Sequence, residues 1–159
     1  QTRDMITIKK KERFTVFESL ENFEDSYLGK GIGVSGSAIS GRAVFTVENI
    51  RQLRQEDPEA KLILLRQDTV PEDINEISKA DGLLTARGGQ TSHAAVVTLR
   101  LEKTCVVGCR TMKVFETEQY CKIGSEVIRF GDPVSIDGRK GIILKGIFPV
   151  KEEIHILPI

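Results

Sequence analysis

Apolar and polar positions along this chain fall into short blocks whose period changes from one block to the next. KLILLRQ holds an unbroken apolar run from Leu62 to Leu65, the pattern of a buried strand. ENIRQLRQ before it reads as a helix, and so does VPEDINEISKA after it, with Pro71 suited to a first helical turn. DGLLTARGG reads as a strand feeding a glycine loop, SHAAVVTLRLEK as the helix that follows, and CVVG as a further short strand. The last third is different in kind. There EVIRF, PVSI and GIILKG are short β segments, the last two joined through the tight-turn pair Asp137-Gly138. Alternating helices and strands followed by β segments predict an α/β core with a β-rich flank.

The ends follow a different pattern. From Lys9 to Tyr27 the chain is charged and loosely amphipathic, with Phe14, Phe17, Leu20 and Phe23 three apart as on one helical face. It reads as a connecting arm. GKGIGVSGSAISGRAVF is dense in Gly and Ser before it turns β-like, as a linker entering a first strand would be. The expected organisation is an N-terminal arm or linker over 1–28, a domain over 29–147, and a C-terminal tail or linker over 148–159 in which KEEIHILPI reads as a terminal strand or a linker.

Composition narrows the class. At 159 residues the chain is long enough for one ordinary domain with a real core. Hydrophobic residues at 40% and charged residues at 29% match a folded globular protein, and Lys+Arg and Asp+Glu balance at 23 each. No net field therefore favours nucleic acid or an anionic membrane. No apolar run nears the roughly 20 residues a bilayer crossing needs, so a cytoplasmic location is expected. Cys105, Cys109 and Cys121 lack metal-ligand spacing and nearby histidines, and are expected to be free structural thiols with no metal.

The chemistry concentrates in ARGGQTSHAAVV, from Ala86 to Val97. Gly88 and Gly89 permit unusual backbone angles and close approach of a ligand, and Thr91 and Ser92 are helix-capping types. His93 then falls in the first turn of a helix, where unpaired N–H groups and the positive end of the dipole favour an anion. The segment lacks the GK[ST] ending of a nucleotide P-loop, and Ser92 lacks the G-x-S-x-G elbow of a serine nucleophile. A histidine nucleophile needs no separate base, because an imidazole with its ordinary pKa of about 6.5 is largely neutral at pH 7. A phosphoryl group on its ring nitrogen would have its oxygens met by helix-terminal amides and the two hydroxyls. Taken alone, the residues leave two readings open: phosphohistidine chemistry, and a capping histidine in a turn that needs glycine.

GLLTARGGQTSHAAVV followed by KTCVVGC closely resembles the phosphohistidine segment of the phosphoenolpyruvate (PEP)-utilising enzymes, pyruvate phosphate dikinase above all. LLRQDTVPEDINEISKADG is similar to the same family's lead-in, so the resemblance runs from about Leu62 to Cys109. It implies a swivelling β/β/α phosphohistidine domain, α/β in class, that carries a phosphoryl group between sites on other domains. On the matching positions His93 is the phosphoryl acceptor, Gly88, Gly89, Thr91 and Ser92 surround the phosphate, and Thr85 and Arg87 support the approach. One of the two threonines, Thr85 or Thr91, is the expected partner of the second ring nitrogen. The implied partners are an ATP-grasp nucleotide-binding domain and a PEP/pyruvate-binding TIM barrel, in the same chain or in trans. Mg and ATP or PEP belong on those domains, and the carrier itself binds no cofactor.

The segment departs from the family pattern at Thr98-Leu99-Arg100-Leu101-Glu102-Lys103, where the family's arginine is displaced by one and the glycine ending the helix is missing. Gln90 also stands where Met, Arg or Lys is commoner. Two rivals to the carrier reading follow: a non-catalytic interaction or regulatory module that keeps the fold, and a small-anion-binding domain that transfers nothing.

Overall fold

The computed structural model describes residues 9–18 and 23–158. Its largest unit is an eight-stranded sheet in the order β2-β12-β11-β4-β5-β6-β7-β3. The strands are β2 (Tyr27–Lys30), β3 (Ile32–Ser35), β4 (Ala38–Val44), β5 (Leu62–Arg66), β6 (Gly82–Thr85), β7 (Thr104–Val107), β11 (Pro133–Asp137) and β12 (Ile142–Lys145). β4, β5, β6 and β7 are parallel, and the remaining pairs are antiparallel. Helices make the parallel crossovers: α2 (Val47–Glu56), α3 (Ile74–Lys79) behind a 3-10 turn at Pro71–Asp73, and α4 (His93–Arg100). A short α1 (Phe23–Ser26) precedes β2, and β8 (Met112–Phe115), β9 (Tyr120–Ile123) and β10 (Glu126–Arg129) form a three-stranded sheet. The fold is α/β, as the alternation of blocks predicts.

The apolar run of β5 shows why the sheet has two covered faces. Ile63 and Leu65 enter a core with Phe45, Leu84, Ile123, Ile128 and Ile136, while Leu62 and Leu64 enter another with Ile50, Leu53, Ile77, Ala94 and Val97. Side chains alternate across a strand, so only an unbroken apolar run serves both faces. Each such side chain, buried fully, contributes roughly 1.5–3 kcal/mol. β8, β9 and β10 supply Met112, Val114, Cys121, Ile123 and Ile128 to the first core.

β2 and β3 are separated by Gly31 alone, yet they pair with β12 and β7 near opposite ends of the strand order. One stretch of chain therefore bridges the two edges of a curled sheet. A Cβ at Gly31 would lie 2.6 Å from the Val107 carbonyl oxygen, so only glycine allows this crossing. The Gly/Ser-rich stretch that reads as a linker is thus strands β2 to β4, its glycines serving close approach.

The arm differs from expectation as well. Lys9–Phe17 is a strand, β1, paired antiparallel with β13 (Val150–Pro158) from Lys9↔Pro158 to Phe17↔Val150. Thr15 ties this ribbon to the body, its hydroxyl donating to the Ala38 carbonyl at 2.5 Å and its amide to Ser37 Oγ at 2.8 Å. The Arg139 guanidinium stacks 3.9 Å from the Phe14 ring centroid, and Phe17 meets Phe148 edge-on at 6.0 Å. The three-residue spacing marks no helical face here, because the backbone finds its partners in a segment at the other end of the chain. Leu20 lies outside the described residues.

Candidate active site

The loop from Ala86 to Ser92 leaves the carboxyl end of β6 and returns as α4. Its path is set by backbone bonds to neighbouring strands: Ala86 N–H donates to Arg66 O at 3.1 Å, Arg87 N–H to Gln67 O at 3.0 Å, and Cys109 N–H to Thr85 O at 3.1 Å. Thr85 is fully buried and its hydroxyl donates to the Arg87 carbonyl at 2.5 Å. Gly88 has φ +106, a conformation side chains rarely adopt, and a Cβ there would meet Ser92 Oγ at 3.1 Å. At Gly89 a Cβ would meet nothing within 4 Å, so this glycine is not demanded by space.

Ser92 is the N-cap of α4, with extended backbone and its Oγ accepting from Ala95 N–H at 3.3 Å. Its amide donates to Gly89 O at 3.0 Å, which closes the loop. The first-turn amides of His93 and Ala94 have no acceptor within the helix, the general condition of a helix start that favours an anion. His93 is exposed at this helix start, with Thr91, Arg87 and Gly88 exposed and Ser92 and Gly89 half-buried around it. The structure therefore gathers His93, Ser92, Thr91 and the glycines at one helix terminus. Thr85 is buried in the core with its hydroxyl hydrogen given to the Arg87 carbonyl, which leaves its oxygen only the role of acceptor. The chemistry available is nucleophilic attack by an accessible ring nitrogen beside an anion-favouring terminus.

The far end of α4 explains the missing glycine. Lys103 N–H donates to Thr98 O at 2.9 Å and Glu102 N–H to Leu99 O at 3.2 Å, a closing turn that places Glu102 at φ 57. Glutamate occupies the left-handed position that glycine usually takes. Thr98 is buried and bonds back to Ala94 O at 2.7 Å, while Leu99, 61% exposed, and Arg100 face outward.

Arg66 and Gln67, to which the sequence pattern assigns no role, both support the loop. Arg66 closes β5 with a buried guanidinium that pairs with Asp73 at 3.2 Å, with Glu76, and with Glu116 at 3.6 Å. Gln67 Oε1 accepts from Val114 N–H at 2.9 Å, linking the loop's backbone anchor to β8. A charged residue ending a buried strand, followed by PEDINE, is the signal the sequence offers for them.

The three cysteines are free and buried. Burial pushes the Cys105 thiol up to about 11 and that of Cys121 to about 12, with the neighbouring Cys109 adding to the latter, and raises Cys109 itself. Among the described residues no three His, Cys, Asp or Glu side chains gather as a metal site. No helix among them is long and apolar enough to cross a membrane.

Residues 58–141, more than half of the chain, match the model of the family described as "PEP-utilising enzyme, mobile domain". The chain belongs to this family. Pyruvate, phosphate dikinase of Entamoeba histolytica is 40% identical over 82% of this chain and 14% of its own length. Pyruvate, phosphate dikinase 2 of Zea mays is 37% identical over 84% of this chain and 15% of its own length. The Rickettsia felis pyruvate, phosphate dikinase is 41% identical over 77% of this chain and 14% of its own. This mobile-domain chain thus spans about 15% of the length of such relatives. An NMR solution structure of Enzyme I (nEIt) aligns at a TM-score of 0.40 and 28% identity, over 56% of this chain and 32% of that one. A TM-score that low adds nothing to the family assignment.

Proposed function

We propose that this chain is the phosphoryl-carrying domain of a pyruvate phosphate dikinase-like transferase and that His93 is the carrier. The observation that carries the reading is an exposed histidine at the start of α4, directly after the Ser92 cap and the Gly88 turn. In the loading step a ring nitrogen of His93 attacks the donor's terminal phosphorus and forms an N–P bond. The P–O bond to the leaving oxygen breaks, and that oxygen keeps the electron pair. The second ring nitrogen retains its proton, so the phosphorylated ring can later pass the phosphoryl group to an acceptor oxygen and return to neutral imidazole. The amides of His93 and Ala94 and the hydroxyls of Thr91 and Ser92 face the phosphoryl oxygens, and Arg87 adds positive charge on the approach.

The donor and acceptor sites belong to other domains. An ATP-grasp domain holding Mg and ATP, and a TIM barrel taking PEP and pyruvate, are the partners this reading requires, in a cytoplasmic setting that suits buried free thiols. The described residues gather no ligand set for a divalent cation.

The experiment is labelling. Incubated alone with labelled ATP or PEP and Mg²⁺, the chain stays unlabelled, because positioning of the donor is missing. With the nucleotide-binding part of a pyruvate phosphate dikinase supplied in trans, it acquires an acid-labile, base-stable label that His93→Ala abolishes. Label that survives His93→Ala, or efficient labelling of the chain alone, overturns the reading. No label under any condition favours a non-catalytic interaction module, for which the exposed Val96 and Leu99 beside His93 would serve as the contact face.

A further inference from the structure

A concave site adjoins the His93 loop. It is an open cleft of about 610 Å³ between the Tyr27–Ile32 crossing and the Gly108–Thr111 connection, with the Gly124 turn at its end. Its size is within the range of small-molecule sites. Two cations, Lys30 and Arg110, line it, and no acidic side chain does. Both are exposed, and among the described residues neither has an ion-pair partner. Much of the lining is backbone, since four of its ten residues are glycines, and Gly29 and Gly31 let the crossing lie close against Thr111 and Val107. The half-exposed Tyr27 ring and Ile32 give the cleft an apolar side.

We propose that this cleft binds a small organic anion, its charged group held by Lys30 and Arg110 and its planar apolar part lying against the glycine backbone beside Tyr27. Two exposed cations without an ion-pair partner among the described residues favour an anion, and the Tyr27 and Ile32 side of the cleft favours a ligand with an apolar portion over a bare inorganic ion. The cleft lining includes no residue of the Ala86–His93 loop, yet the two adjoin. Gly108 N–H donates to Arg87 O at 3.4 Å, and a Cβ on Gly108 would come 2.8 Å from Gly88 O, so one wall of the cleft backs directly onto the turn. The inference is independent of phosphoryl transfer and holds whether or not His93 is a carrier.

The test uses the whole chain and amide NMR, in which the cleft glycines are convenient reporters. Phenyl phosphate and benzoate are the probes, with phenol and inorganic phosphate as the apolar and ionic halves alone. Saturable shifts at Gly31, Gly108 and Gly124, with Gly146 unmoved, are expected from phenyl phosphate or benzoate, and whichever binds more tightly identifies the anion class. Phenol and inorganic phosphate each bind more weakly. Lys30→Ala and Arg110→Ala each weaken binding roughly tenfold, while His93→Ala leaves it unchanged. Absence of saturable shifts from both probes overturns the proposal, as does equal affinity in the Lys30→Ala/Arg110→Ala double variant.

Discussion

Glu102 shows how a single residue can break a local rule and still leave the site intact. Its φ of 57 lies in the left-handed region, where a Cβ crowds the following carbonyl. The turn is held regardless by the Lys103 N–H bond to Thr98 O, which anchors the helix end to a buried threonine. Glu102→Gly removes the crowding and adds freedom to the unfolded chain, and the first effect is larger at a helix C′ position. The expected result is a gain of about 1 kcal/mol, seen as a higher urea midpoint at unchanged m-value. His93 sits at the opposite end of α4, so the labelling of this variant should match that of the parent chain. Unchanged or lower stability would mean that Glu102 makes a compensating contact.

At the scale of elements, the turn at Pro71–Asp73 and helix α3 are clamped to the carboxyl end of β5 by Arg66. Its carboxylate partners Asp73 and Glu76 are themselves mostly buried, at 11% and 22% side-chain exposure. Arg66→Ala leaves them without their counter-charge, a loss of roughly 3 kcal/mol measurable by urea denaturation. Because Arg66 O accepts from Ala86 N–H, the same change should slow His93 labelling, and a stable, fully active variant would refute the clamp. This cluster also marks where sequence reading stops. The Ser92 cap, the Gly88 turn and helices α2 and α4 rest on neighbours within a few residues and are legible in the chain. Helix α3 is legible too, though its Pro-led first turn is 3-10. The Arg66–Glu116 contact, the β1–β13 ribbon and the β2–β3 crossing join segments far apart in sequence, and no local period records them. β8 and β9 escape the sequence pattern for a related reason: they are four residues each, and their turn puts Gln119, not glycine, at φ 61.

The whole molecule stands on two cores separated by the main sheet, and cysteine thiols sit in both. Cys105 belongs to the core under the helices, and Cys109 and Cys121 to the core under the three-stranded sheet. Against an ordinary value of 9.0, burial holds Cys105 up at about 11 and Cys121 at about 12. Below pH 9 these thiols are neutral whether the chain is folded or not, so their burial carries no ionisation cost. Above it the unfolded chain releases protons that the folded chain keeps, and stability falls with rising pH until the folded thiols themselves ionise at about 11 and 12. Each thiol contributes a slope of about 1.4 kcal/mol per pH unit across that window. Lysines and tyrosines also titrate there, so the quantity to measure is the difference between the parent chain and a Cys105→Ala/Cys121→Ala variant. The variant begins less stable at pH 7 because it has lost buried volume, and its stability should then decline less steeply from pH 9 upward, the two curves converging. Since either thiolate would have to form inside a core, loss of structure in alkali should be a single transition in far-UV and near-UV signals alike. Parallel curves for the two proteins would show that the thiols ionise as readily folded as unfolded, and that the cores are open to water on the timescale of the measurement.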